Sequence, residues 1–346
     1  MKCPALFLHP SDSGTPVLGR SIEPVLARVD STRTEERVKT LPKGVVVRVD
    51  ALSCNYRDRS LILSGTGAPE SGLTPFGSEF AGTVLAVGPG CRLRPGERVM
   101  SCSSYPPEPG AGPAGVVTNV ASQGVLLLHE SQLLEVPELM STEQAAAFGL
   151  CHQTAVAIVR RSGAGRGARV LVTAATSSTS VAIRRILGAH GVETWVQSSK
   201  KSIDLLPGEH RWSSAEAADV KSPRSGFTHV LDPFCDLNLP LVLPLMAMGG
   251  SYVTCGLLHQ HPDMEHPSTT WDPQSLIATL ITGNLSVTGN CLGTKEDLLT
   301  ALELARDRRL PLDHPPIHDR HHASDFLHEA FTSRSRTGKV VLSLAA

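Results

Sequence analysis

The chain is poor in several things that would fix its class at once. Aromatic residues make up only 4% of its 346 positions, which argues against a platform for stacking nucleic-acid bases. Neither sign of charge is in excess: 32 Lys and Arg face 33 Asp and Glu, for a net charge of -1. Binding to nucleic acid rests on phosphate neutralisation, so this balance argues against such a partner. No run of about 18 apolar residues is present, so no membrane span is expected. The opening segment, Met1 to Pro10, has too short an apolar stretch for a signal peptide, and a cytoplasmic protein is the expectation. The eight cysteines are scattered and none forms a Cys-x-x-Cys pair, so neither a zinc ribbon nor a disulfide framework is suggested. No internal repeat is visible.

What is present fits a globular protein of about two domains. Hydrophobic residues reach 41% and charged residues 19%, enough for a sizeable core. The first part reads as β-rich. Segments 45–52 and 80–88 are strand-like, and Arg94-Pro95-Gly96-Glu97 is a turn leading into a third strand. The Pro- and Gly-dominated stretch 106–115 reads as a surface loop.

The middle changes character. Ser141 and Gln144 form a capping-box pattern that predicts a helix reaching Arg160-Arg161 and stopping at Ser162-Gly163. Short apolar strands at 169–173, 194–196, 228–232, 251–255 and 285–287 follow, with a helix over 180–191 and one more strand in the tail at 338–344. Strand–helix alternation of this kind implies βαβ units and a parallel sheet.

The strand at 169–173 runs into Ala174-Ala175-Thr176-Ser177-Ser178-Thr179-Ser180 and then a helix. That order places a pyrophosphate on a helix N-terminus. The loop lacks the usual glycines, so on local grounds it is either a phosphate cradle of small residues and hydroxyls or a βα turn that binds nothing.

A wider pattern resembles the medium-chain dehydrogenase/reductase superfamily, in its zinc-free, quinone oxidoreductase-like branch. The resembling segments are Ser53-Cys54-Asn55-Tyr56-Arg57-Asp58, Gly77-Ser78-Glu79-Phe80-Ala81-Gly82, Pro95-Gly96-Glu97-Arg98-Val99, the strand–loop–helix from Val170, Met248-Gly249-Gly250-Ser251, and Thr337-Gly338-Lys339-Val340-Val341. They span nearly the whole chain in the family's order. The resemblance implies an α/β fold: a GroES-like β-barrel domain over 1–140 and 291–346, interrupted by a Rossmann domain with a doubly wound parallel sheet over 141–290. It also implies a homodimer through Rossmann edge strands, here Leu285-Ser286-Val287.

Zinc members of this family carry a Cys, a His after Gly, and a third Cys or Asp. Asn55, Ser78 and Leu150 stand in those places, and Cys54 and Cys151 are each one residue off. A one-residue shift turns a strand side chain to the other face. No metal is therefore expected. Two histidine groups, His259, His261 and His266, and His314, His318, His321 and His322, read as solvated loop residues.

The second Rossmann strand ends in Gln197-Ser198-Ser199-Lys200-Lys201, without the carboxylate that would bond a ribose 2′-hydroxyl. Hydroxyls and ammonium groups there favour NADPH over NADH. The candidate cofactor contacts are Thr154, Ala175, Thr176, Ser177, Ser178, Thr179, Ser180, Ser198, Ser199, Lys200 and Lys339. Without a metal, developing oxyanion charge needs hydrogen-bond donors or a proton. Tyr56 is the first candidate for that role, the alternative being a tyrosine packed at a surface. Asn55 could orient substrate, Asp58 fixes the loop, and Glu79 is a remnant of the zinc pattern. Cys151 and His152 are adjacent on a helix and point about 100° apart, a poor nucleophile–base pair.

The expected activity is zinc-independent, NADPH-dependent reduction of an activated C=C bond, in an enone or a dehydroamino acid, or of a quinone. The substrate would be a small molecule or a peptide. A carbonyl or alcohol dehydrogenase, or a non-catalytic nucleotide-binding homologue, are the alternatives.

Overall fold

The computed structural model describes residues 1–66, 72–105, 115–213, 226–259 and 272–345. Most of the loop expected at 106–115, together with His261 and His266, lies outside these residues. The chain divides into two compact units, Met1–Leu150 with Leu312–Ala346, and Cys151–Pro311.

The first unit opens with an antiparallel pair, β1 (Lys2–Val17) and β2 (Arg20–Asp30), followed by α1 (Thr32–Val38). Its main sheet contains β3 (Gly44–Ser53), β4 (Glu79–Val87), β5 (Arg98–Ser101), β6 (Val125–His129) and β7 (Leu133–Glu135). A short helix, α2 (Asp58–Gly65), follows β3. The C-terminal segment returns β14 (Ile317–Asp319), α8 (Ala323–Phe331) and β15 (Val341–Ser343) to this unit. Strand order is β14-β15-β3-β4-β5-β7, with β6 also paired to β3. Valines 45, 46, 47 and 49 of β3 are fully buried, as β-branched residues in a central strand should be. Gly82 lets β4 approach β3: a Cβ there would lie 2.1 Å from the Arg48 carbonyl oxygen.

The second unit holds a six-stranded parallel sheet in the order β10-β9-β8-β11-β12-β13. The strands are β8 (Val170–Val172), β9 (Thr194–Val196), β10 (Glu209–Arg211), β11 (Phe227–Asp232), β12 (Met246–Thr254) and β13 (Ser286–Gly289). Its helices include the C-terminal part of α3 (Thr142–Ser162), then α4 (Ser178–Ala189), α5 (Cys235–Val242), α6 (Pro273–Gly283) and α7 (Lys295–Arg306). The order reverses beside β8, which makes this a doubly wound Rossmann sheet. The capping box of α3 is present: the Gln144 N–H donates to Ser141 Oγ at 3.1 Å, and the Ser141 N–H donates to Gln144 Oε1 at 3.0 Å.

The boundaries fall at 150/151 and 311/312 rather than at 140/141 and 290/291. Tertiary contacts explain both shifts. The start of α3 is tied to the barrel unit, where Ser53 Oγ donates to the Ala146 carbonyl at 2.8 Å and Gln144 Nε2 to that of Asp313 at 2.9 Å. Helix α7 is tied to the Rossmann unit: Arg160 bonds both oxygens of Asp297 at 3.0 Å, and Gln153 Nε2 donates to the Thr294 carbonyl at 2.7 Å. No helix among the described residues is long and apolar enough to cross a membrane.

Candidate active site and dinucleotide loop

Antiparallel pairing sets Ser53 of β3 opposite both Glu79 of β4 and Val341 of β15. Extending the β15–β3 register by two residues brings Lys339 opposite Asn55. A buried polar cluster results. Lys339 Nζ donates to Asn55 Oδ1 at 2.6 Å, Glu79 Oε2 at 2.8 Å, the Cys54 carbonyl at 3.0 Å and Ser53 Oγ at 3.3 Å. The lysine is 5% exposed and Glu79 is fully buried. The other carboxylate oxygen, Glu79 Oε1, accepts the Leu150 N–H at 2.7 Å. Gly149 makes room for it, since a Cβ at 149 would lie 3.3 Å from Oε1.

Asn55 is spent on this cluster. Its Nδ2 donates to Ser78 Oγ at 3.1 Å and to Glu79 Oε2 at 3.3 Å, and its backbone N–H donates to Asp58 Oδ2 at 2.7 Å. Ser78 Oγ donates to the same Asp58 oxygen at 2.6 Å. Burial pushes the Asp58 carboxyl up, against the hydrogen bonds from Ser78 and Asn55 and the charges of Arg57 and Lys339. Burial also pushes the Cys54 thiol well up, so it stays protonated. Tyr56 is half-buried. Arg59, one helical turn on, donates Nη1 to its Oη at 2.8 Å, and Arg59 Cζ lies 5.8 Å from the ring centre. Sequence reasoning missed Arg59, although the i, i+3 spacing was there to be read.

Lys339, expected as a cofactor contact, therefore has its ammonium in the barrel unit's cluster. Thr154 is buried on α3. Tyr105 is exposed, and Tyr252 is buried in the Rossmann core, where its hydroxyl donates to Asp232. Burial and then the Asp232 charge push the Tyr252 phenol up, so it has no acid–base part at neutral pH.

In the Rossmann unit, the loop after β8 is pinned from several sides. Ala174 sits at φ 46°, the left-handed region that glycine usually fills. The Ala174 N–H donates to Gln197 Oε1 at 3.1 Å and the Ala175 N–H to the Gln197 carbonyl at 2.9 Å. Buried Arg184 of α4 donates Nη1 to the Ala175 carbonyl at 3.0 Å and pairs with Glu209 of β10 at 2.6 Å. Ser180 Oγ donates to the Thr173 carbonyl at 2.8 Å, so a serine fits where the family usually has glycine. Ser177 caps α4 by accepting the Ser180 N–H at 3.2 Å. Among the described residues no protein acceptor takes the N–H groups of Thr176 and Thr179. These donors, at the positive end of a helix, suit a pyrophosphate.

Beyond β9, Ser198 Oγ accepts the Lys200 N–H at 3.1 Å and Ser199 is exposed. Arg211 of β10 donates to the carbonyls of Lys200, at 2.6 Å, and Lys201. A third cation thus joins this turn. Sequence reasoning missed Arg211, Arg184 and Gln197 because only the fold brings them to the loop.

Of the two histidine groups singled out in the sequence, three described members are each joined to a carboxylate: His259 to Asp236 at 2.8 Å, His318 to Glu329 at 2.6 Å and His322 to Asp319 at 2.9 Å. Among the described residues no group of three or more His, Cys, Asp or Glu is placed to hold a metal.

Comparison with known proteins agrees with this architecture. The alcohol dehydrogenase GroES-like domain family matches residues 41–138. A mycocerosic acid synthase-like polyketide synthase of Mycolicibacterium smegmatis is 28% identical over 64% of this chain and 10% of its own length, so the chain spans about a tenth of that relative. The trans-enoyl reductase poxP of Penicillium oxalicum is 28% identical over 70% of this chain and 67% of its own. Among solved structures, the 2-octenoyl-CoA carboxylase reductase CinF, in complex with NADP and 2-octenoyl-CoA, superposes with a TM-score of 0.74 at 18% identity, covering 99% of this chain and 87% of the other. Alcohol dehydrogenases share the fold as well. Residues 41–138 thus match the alcohol dehydrogenase GroES-like domain family, the fold is shared with alcohol dehydrogenases and enoyl reductases, and the chain has trans-enoyl reductases among its relatives.

Proposed function

We propose that the chain is a zinc-independent, NADPH-dependent reductase of an activated C=C bond of the enoyl or enone type. The observation that carries this reading is the donor set of the barrel site, in a chain related to trans-enoyl reductases. A catalytic zinc needs three thiolate, imidazole or carboxylate ligands. The corresponding places hold an amide, a hydroxyl and an aliphatic side chain, and an ammonium lies 2.6 Å from the amide oxygen. That set does not fit a dication. Reduction of an alkene conjugated to a carbonyl needs only donors for the developing enolate oxygen and a proton.

NADPH, when bound, supplies the hydride. Thr176 and Thr179 would hold its pyrophosphate, and Lys200, Lys201 and Arg211 its 2′-phosphate. Arg59 donates to Tyr56 Oη, and Tyr56 would pass its phenolic proton to the substrate. Once that proton is given up, the phenolate lies beside the Arg59 cation until water reprotonates it. Hydride and proton together saturate the double bond.

The test is to incubate chelator-treated protein with NADPH and 2-octenoyl-CoA, following NADPH absorbance and product mass. NADPH consumption with formation of the saturated thioester is expected. Activity lost to the chelator and restored by zinc would remove the zinc-independent part, and failure to bind NADPH would favour a non-catalytic homologue.

We also propose a homodimer, no nucleic-acid or membrane partner, and a cytoplasmic location. Edge strand β13 exposes Val287 at 41%, and α6 exposes Ile277 at 54% and Ile281 at 70% while Leu276 and Leu280 pack on the sheet. A second copy would cover this edge. Light scattering should give twice the chain mass, and a monomer at micromolar concentration would contradict it.

A further inference from the structure

We propose that Lys339 is the fixed cation of the barrel site: its ammonium takes the organising part that a metal ion would play there and holds the 54–58 loop that presents Tyr56. The inference rests on the reading of Tyr56 as proton donor, and it changes the role of Lys339 from a cofactor contact to a positioning residue.

The cradle is built for a compact cation. Four oxygens, Ser53 Oγ, the Cys54 carbonyl, Asn55 Oδ1 and Glu79 Oε2, surround Nζ at 2.6 to 3.3 Å. These four acceptors belong to the barrel unit. A lysine suits this geometry, whereas the planar fork of arginine spreads its donors too far. Glu79 is fully buried, and an uncompensated carboxylate there would be costly.

The consequences run along a closed circuit. Lys339 fixes the oxygen end of the Asn55 amide, which aims Nδ2 at Ser78 and Glu79. Ser78 donates to Asp58, and Asp58 accepts the Asn55 N–H. Tyr56 lies between the two residues this circuit pins. Without the cation the amide loses the partner that sets its orientation, and the loop loses its anchor. Asn55 is thus a strut of the loop, its amide committed to protein partners. The ammonium arrives from a residue 284 positions further along the chain, so no local motif announces it.

The test compares wild type, Lys339→Ala, and Lys339→Ala/Glu79→Gln in the full chain, each with and without propylammonium or tetramethylammonium chloride. For Lys339→Ala, kcat should fall about 100-fold, the loss typical of a misplaced transition-state donor, while the NADPH dissociation constant stays near wild type. Propylammonium should restore part of kcat and of the melting temperature. Tetramethylammonium, which has no N–H donor, should restore neither. The double variant removes both charges, so it should regain melting temperature but not turnover; it carries the same measurements if Lys339→Ala does not fold. Weakened NADPH binding with kcat intact at saturation would make Lys339 a cofactor ligand and overturn the proposal. Turnover recovering together with melting temperature in the double variant would reduce the lysine to a structural counter-charge, which also overturns it. If wild type turns over no enoyl substrate, the functional reading fails separately. The cradle is then judged on the cofactor-free melting temperature of Lys339→Ala, where recovery with propylammonium supports it and no recovery overturns it.

Discussion

The barrel unit and the Rossmann unit each depart from the pattern of the superfamily the sequence resembles where chemistry is expected, and they compensate over different distances. In the barrel unit the positions of metal ligands hold Asn55, Ser78 and Leu150, and the cation comes from Lys339, separated from Glu79 by 260 residues. In the Rossmann unit Ala175, Ser177 and Ser180 of the phosphate loop stand where that superfamily usually has glycine. The loop is then fixed by neighbours much closer in sequence: Gln197, Arg184 and the hydroxyl of Ser180. A charge set in a buried cradle depends on the closure of a whole sheet. A backbone turn can be held by the helix and strand that flank it. The barrel site should therefore be sensitive to single substitutions in its chemistry, and the Rossmann loop in its stability and affinity.

The largest expected effect breaks the Rossmann side. Arg184→Met strands a buried Glu209 and releases the Ala175 carbonyl, and it should cost about 3–5 kcal/mol in urea unfolding. Arg184→Met/Glu209→Leu should regain most of it. A loss under about 1 kcal/mol, the range of a surface ion pair, would show that the loop does not depend on this clamp.

On the barrel side, Tyr56→Phe keeps the ring and removes the hydroxyl that Arg59 addresses. Steady-state kinetics should show kcat about 100-fold lower with NADPH binding unchanged, the pattern of an interaction made mainly in the transition state. Turnover at the parental rate would leave Tyr56 as a packing residue.

A smaller effect sharpens the cofactor reading. Lys200→Ala and Arg211→Ala should each weaken NADPH by up to about 1.5–3 kcal/mol, the worth of one charged hydrogen bond, and leave NADH unchanged. Equal losses for both cofactors in a fluorescence titration would place the two cations outside the 2′-phosphate site.

The smallest effect concerns pH. Burial alone would raise the Asp297 carboxyl, but the paired bonds from Arg160 and the Thr294 N–H outweigh it and hold Asp297 below its ordinary value. Its contribution to stability is therefore fully present above the unfolded carboxyl's pKa of about 4 and is lost as pH falls through the lower folded value. Unfolding curves of Asp297→Asn should be flatter in that acid range than wild type, and identical slopes would contradict the assignment.

Much of the fold was legible because it is encoded locally. The β-branched run of Val45 to Val49, the Ser141–Gln144 cap and the alternation of short apolar strands with helices each specify their own element. The unit boundaries were not legible, because α3 and α7 are claimed by tertiary bonds at Ala146, Leu150 and Asp297 that no periodicity reports. The candidate site divides the same way. Asn55 and Tyr56 sit in a contiguous motif and could be singled out. The neighbours that determine what they do, Lys339 above all, reach them only through strand pairing, and Arg211 meets the turn of Lys200 and Lys201 only because β10 lies beside β9.

The central claim is that a phosphate loop without glycine and a barrel site organised by an ammonium together serve an NADPH-dependent reductase. The most direct measurement is titration of the purified chain with NADPH and, separately, NADH, read by nicotinamide fluorescence, followed by addition of 2-octenoyl-CoA to the saturated complex. The account predicts saturable binding of NADPH, tighter than NADH, and loss of the nicotinamide signal when the enoyl thioester is added. Absence of NADPH binding, or a preference for NADH with no response to the thioester, would contradict it.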